Sequence, residues 1–149
     1  MKHNHYFLLP FLLLGALLFP IMLNATSLAP VDSAGVQVQP QQQNGITYLS
    51  GGIGEDEARA IGQARGYNLH MTFAVGPENK YIPDVHVVVQ NAAGQALLTL
   101  DEAGPLVYVQ LPPGKYIVVA TRNGEARRDT ADVGSGAARN LVFHWNGDE

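Results

Sequence analysis

Three histidines, His70, His86 and His144, each fall inside a strand-like stretch. Three imidazoles meeting on one sheet face could hold zinc or copper. No two of them are close in sequence, and each stands on the parity opposite to the better apolar set of its strand. That pattern predicts solvent-facing strand histidines, and no metal is assigned to them. The stretch "GGIGEDE", residues 51–57, has the look of an anion cradle at a helix N-terminus. Phosphate loops put Lys or Ser/Thr beside the glycines, whereas Glu55, Asp56 and Glu57 stand here and would repel an anion. A loop-to-helix turn is the expectation. Nucleophilic catalysis has little to draw on: cysteine is absent, and from Ile46 onward the only serines are Ser50 and Ser135. Ser135 lies in "GSG", without the strand-to-helix context of a nucleophile elbow. Asp101 and Glu102 are adjacent, and neighbouring strand residues point apart, so they do not form an acid/base pair by position alone. The rings of Tyr67, Tyr81, Tyr108, Tyr116 and Trp145 could include a sugar-stacking platform, but most should be core or strand-edge aromatics, Tyr116 in the core outright. The residues therefore give no catalytic, cofactor-binding or metal-ligating set and no cofactor. The ligand-binding residues are not fixed at this level, and the expectation is a protein that is not an enzyme.

These side chains must be positioned by short elements. "ITYLS" from Ile46 is a strand candidate closed by "GGIG". "EDEARAIGQARG" then reads as a helix over Glu55–Arg65, with acids first, arginines later and Gly66 as the stop. Its apolar stripe is thin, so Ile53 and Ile61 are expected to pack on something larger. "YNLHMTFAV" places Leu69, Met71, Phe73 and Val75 on one parity, a half-buried strand. After "GPENKYIP" only strands follow: Val85, Val87 and Val89 alternate with His86, Val88 and Gln90, "NAAGQ" and "DEAGP" reverse the chain, and "LVYVQL" leads onward.

The stretch "LPPGKYIVVATRNGEARR", Leu111–Arg128, is the most informative. Pro112 and Pro113 cannot donate to a ladder and must stand outside the paired strand. Lys115–Arg122 is then a strand with apolar residues on both faces, which predicts a central strand covered on both sides. Asn123-Gly124 is a strong hairpin signal, because a type I′ turn needs positive φ twice. "EARRDTADV" is polar on both parities and should be an edge strand. A two-residue turn sets Asp129 opposite Val118, which sits badly with burying Val118, so a bulge or early departure is expected there. "NLVFHW" offers Leu141, Phe143 and Trp145 to the core.

Thr99–Gly124, through Asp101, Gly104, Tyr108, Leu111, Pro112, Pro113, Gly114 and Tyr116, resembles the carboxypeptidase regulatory-like domain. "IPDVHVVV" is similar to that domain's first strand, and the likeness spans about Tyr81–Trp145. It implies a mainly β, Greek-key, Ig-like or transthyretin-like β-sandwich, here with one short N-terminal α-helix. The helix and strands of Ile46–Val75 are not part of the usual module. A related fold locks itself with a Lys–Asn isopeptide bond; Lys80 or Lys115 with Asn140 is formally available, by analogy alone. The resemblance carries no activity.

At 149 residues there is room for one domain. "MKHNHYF" followed by "LLPFLLLGALLFPIML" has the positive start and apolar run of a signal peptide over residues 1–25, with small residues at Ala25 and Ser27 for the cut. The rival, a retained membrane anchor, suffers from Pro10, Gly15 and Pro20 within the run. Residues 26–45, rich in Pro and Gln, read as a flexible linker. Residues 46–149 form the domain, with a helix-containing extension over 46–75 and a core sandwich over 76–146. With 9 basic against 13 acidic residues, nothing favours nucleic acid or an anionic lipid surface. The expected protein is exported, periplasmic or secreted, and makes no membrane contact beyond its signal. It is a binding or accessory module for an envelope protein, or alternatively a carbohydrate- or peptidoglycan-binding module. A small metal-binding protein or hydrolase is the third reading. Intact-mass measurement of protein recovered from outside the cytoplasm should give a chain short by about the first 25–27 residues. A mass that retains Met1 would contradict export with cleavage.

Overall fold

Residues 28–33 and 36–147 are described by a computed structural model of the chain, and the expected signal segment lies outside the described residues. The strands are β1 (Val31–Ser33), β2 (Val36–Val38), β3 (Gln41–Gln43) and β4 (Ile46–Gly51), followed by the helix α1 (Glu55–Gly62). Then come β5 (Leu69–Val75), β6 (Lys80–Tyr81), β7 (Val85–Asn91), β8 (Ala96–Ala103), β9 (Leu106–Gln110), β10 (Gly114–Arg122), β11 (Glu125–Val133) and β12 (Arg139–Trp145). One sheet has the order β11–β10–β7–β8. The other runs β12–β5–β9–β4–β3, with β6 continuing the β9 side of β5. The protein is mainly β, a sandwich of two sheets with one short helix.

Period-two alternation builds the core. Leu69, Met71, Phe73 and Val75 of β5 and Val107 and Val109 of β9 face Val85, Val87 and Val89 of β7 and Tyr116, Val118 and Ala120 of β10. Burial of each such large apolar side chain stabilises by about 1.5–3 kcal/mol. Tyr116 is buried as expected, and its hydroxyl donates to the Pro112 carbonyl at 2.5 Å.

The extension is integral to the sandwich. β4 and β5 flank β9 in the centre of the larger sheet, so residues 46–75 supply strands rather than a detachable arm. The helix is shorter than the spacing predicts, ending at Gly62. At eight residues it would not persist alone in water. It is held by a second cluster on the outer face of the larger sheet, where Ala60 and Ile61 meet Leu49 and Leu106. Ile53 takes no part in this and is 66% exposed, because it precedes the helix in the turn.

Three further expectations are corrected. The expected linker carries three strands: β1 and β2 pair antiparallel, and β3 pairs with β4. The turn joining β3 to β4 is Asn44-Gly45, with φ of 51° and 74°, the same hairpin chemistry as Asn123-Gly124 at 48° and 78°. β11 does not bulge or leave early: it pairs with β10 over nine residues, with Asp129 opposite Val118. Val118 is still buried because β11 lies at the sheet edge, where Asp129 reaches water. Finally, β10 is central but covered on one face only; Ile117 and Val119 remain partly exposed on the other.

The chain passes from the smaller to the larger sheet at Ala103–Leu106. There Gly104 lies so close to Gly51 that a Cβ on it would stand 2.6 Å from the Gly51 Cα and carbonyl oxygen. The Gly104 amide also donates to Ser50 Oγ at 3.0 Å. Backbone cannot yield as a flexible side chain can, so Gly104→Ala should lose about 3 kcal/mol in urea unfolding. Gly134→Ala, where a Cβ meets open space, should change stability by less than about 0.5 kcal/mol. Equal effects at the two positions would contradict the close crossing.

Candidate binding surfaces

The sequence-predicted residues separate in space. His70 and His144 lie on the outer face of the larger sheet, level with Asn140 and Ala74 respectively, and His86 lies on the outer face of the smaller one. Among the described residues no group of three His, Cys, Asp or Glu side chains is placed to hold a metal ion. Each histidine has its own local partner. His70 Nε2 lies 3.1 Å from the Tyr67 carbonyl and His144 Nε2 lies 2.6 Å from the Gly76 carbonyl. A carbonyl only accepts, so both Nε2 atoms carry the hydrogen. His86 Nδ1 stands 3.2 Å from Asp101 Oδ1, a pair that sequence reasoning missed because the β7–β8 register shifts next to it. The pair is exposed, and its Coulombic contribution is small in water.

The remaining candidates scatter too. Ser50 Oγ is engaged by Gly104, Glu102 is exposed without an ion pair among the described residues, and Ser135 is in an exposed turn. Glu57 bends back so that its Oε1 accepts from Gly52 N at 3.0 Å, which makes the glycine loop a helix start. The lysines of the isopeptide analogy stay away from Asn140. Lys80 is level with Val75 at the far end of β5, and Lys115 belongs to the other sheet.

Two open surfaces result. The first is the outer face of the smaller sheet, where Val119 stands between Val88 and Arg128, and Ile117 between Gln90 and Thr130. Val88, Ile117 and Val119 form a half-exposed β-branched row, with Arg128 on one flank and the His86–Asp101 pair on the other. The second is a ledge on the larger sheet beside the helix. There His70 stacks on Tyr108 with ring centres 3.7 Å apart and planes within 5°, and Tyr81 is 49% exposed. Tyr67, Tyr116 and Trp145 are buried. The Trp145 indole donates to the Glu125 carbonyl at 3.0 Å and lies under the Arg127 guanidinium.

No family model and no curated protein matches the chain.

Burial raises the Tyr67 phenol above its ordinary pKa of 10.0, and Tyr108 is raised by burial and then by the nearby Tyr81. Tyr67 Oη is buried without a hydrogen-bond partner among the described residues. Removing that hydroxyl removes an uncompensated desolvation, so Tyr67→Phe should gain about 1 kcal/mol in urea unfolding at neutral pH. Because the folded phenol holds its proton more tightly than the unfolded one, stability is undiminished below pH 10.0. It falls as pH rises from there through the raised folded value. The alkaline loss should be smaller in Tyr67→Phe, and a loss of stability in the variant at neutral pH would mean that the hydroxyl is bonded.

Proposed function

We propose that this chain is a non-enzymatic, exported β-sandwich module that binds, or acts as an accessory to, a protein of the cell envelope. Its contact surface is the outer face of the smaller sheet. The observation that carries this reading is the mismatch on β10. Its sequence is apolar on both parities, but only Tyr116, Val118 and Ala120 are buried, leaving Ile117 and Val119 beside Val88 in partial contact with water. An apolar row rimmed by polar residues on a sheet face suits a protein partner. The likeness of Thr99–Gly124 to the carboxypeptidase regulatory-like domain belongs to the same proposal, since such a module would serve by contact rather than by chemistry. Export rests on the apolar run after Lys2.

The alternative, a carbohydrate- or peptidoglycan-binding module, draws on the ledge, where Tyr81 exposes its ring and the His70–Tyr108 stack lies near. A glycan platform needs several free ring faces, and one face of Tyr108 is already taken by His70. The protein-partner reading is therefore preferred.

Crosslinking in intact cells followed by affinity recovery tests it. Val119→Asp and Ile117→Asp should each abolish recovery of the crosslinked envelope protein while the melting transition stays cooperative. A variant at Tyr81 to Ala should leave recovery intact. Recovery that survives both acidic variants and fails on loss of Tyr81 would move the site to the ledge.

A further inference from the structure

Strand register sets the side chains on the outer face of the smaller sheet in rows across the strands. One row runs from Arg128 on β11 through Val119 on β10 and Val88 on β7 to Thr99 on β8. The row on one side of it is Ala126, Thr121 and His86, and His86 Nδ1 stands 3.2 Å from Asp101 Oδ1 of β8. The row on the other side is Thr130, Ile117 and Gln90. Val88, Ile117 and Val119 therefore occupy the two middle strands, β7 and β10, and each is half-exposed. Val88 and Val119 are directly opposite one another, one on either side of the midline of the sheet.

The two flanks of this apolar strip carry opposite charge. On the β11 flank Arg128 is exposed, and its neighbours on the same face, Ala126, Thr130 and Val119, carry no acid. It makes no ion pair among the described residues. On the β8 flank the Asp101 side chain is 86% exposed even beside His86, and no lysine or arginine pairs with it among the described residues. The remaining charges of the face, Lys115 and Asp132, are level with each other at one end of β10 and β11 and balance locally. The face thus has an apolar centre, a basic flank and an acidic flank.

We propose that the protein met at this face is a second copy of the chain, seated face to face about a two-fold axis that runs parallel to the strands, midway between β10 and β7. The inference rests on the reading of this face as the contact surface and names its occupant. Such an axis exchanges the β11 side of one copy with the β8 side of the other. Val119 then covers Val88 of the second copy, and the same contact recurs on the other side of the axis. Arg128 comes to stand over the Thr99–Asp101 end of β8 in the second copy. Aligned sheets pack about 10 Å apart with their strands within about 30°, a gap that an arginine and a carboxylate bridge together. An axis across the strands would instead lay β11 over β11 and β8 over β8, so that like-charged flanks face each other. Charge therefore selects the first arrangement, and the apolar strip supplies the surface that it buries.

Sedimentation equilibrium on the protein recovered from outside the cytoplasm should show a dimer that forms reversibly as concentration rises. Arg128→Asp and Asp101→Arg should each weaken it about tenfold or more, because like charges then meet at both contacts. Both positions are exposed, so both variants should fold. An equimolar mixture of the two variants should dimerise as the unaltered chain does, since each introduced charge then meets its opposite. Val119→Asp should abolish the dimer. A dimer indifferent to the charge variants, or a mixture that associates no better than either variant alone, would overturn the arrangement. A chain that stays monomeric, yet loses a different crosslinked envelope protein on Val119→Asp, would overturn the second copy and leave the face as the contact surface. A monomeric chain with no such loss would overturn both.

Discussion

The approach of Gly104 to Gly51 is the constraint on which the arrangement depends. Gly104 can lie this close only because it carries no side chain, and a Cβ on Gly51 would instead meet the Glu57 carboxylate and Ile61. The contact lets the chain leave β8 in one sheet and enter β9 in the other within three residues. β9 then takes the place between β4 and β5 that makes the larger sheet continuous. The helix is seated from the same point, because Gly51 ends β4 and the next amide, that of Gly52, is held by Glu57. Helix position, sheet change and central strand thus share one spacing. That shared spacing explains why Leu106, the first residue after the crossing, packs under Ile61 in the outer cluster.

Side-chain amides complete what the strands leave open. Asn68 donates to the Leu111 carbonyl at 2.7 Å and accepts from the Leu111 amide at 2.8 Å, a two-bond exchange like that of Gln43 with Thr99. In both places a primary amide presents a donor and an acceptor with the spacing of a peptide unit, so it serves as one more ladder residue. At Asn68 this carries pairing past the end of β9. At Gln43 it links the edges of the two sheets.

Much of the fold was legible because strand parity and turn chemistry are local. Asn123-Gly124, the buried parity of Tyr116 and Val118, and the edge position of β11 all follow from residues a few positions apart. Asn44-Gly45 carried the same turn signal and was hidden by the Pro- and Gln-rich text around it, which reads as a linker although it holds β1, β2 and β3. The apolar outer face of β10 was visible in the alternation, but whether anything covers it was not, because cover comes from elements distant in sequence. The parallel pairing of β12 with β5 was not legible at all, because no local pattern records which neighbour a strand remote in sequence will choose. The His86–Asp101 pair was hidden for a related reason, since register shifts in the β7–β8 ladder set it.

That remote pairing has a kinetic side. Leu69 and Arg139 are partners across 70 positions of chain, the difference between their numbers. Parallel pairing at such separation must wait for loop closure over everything between, which slows the search and raises the contact order. Until β12 arrives, the side of β5 that it will cover has no strand beside it, and Phe73 lacks the rings of Phe143 and Trp145 that later pack against it. Until that closure one of the buried strands is still an edge, and an unpaired edge is a point of misassociation during folding.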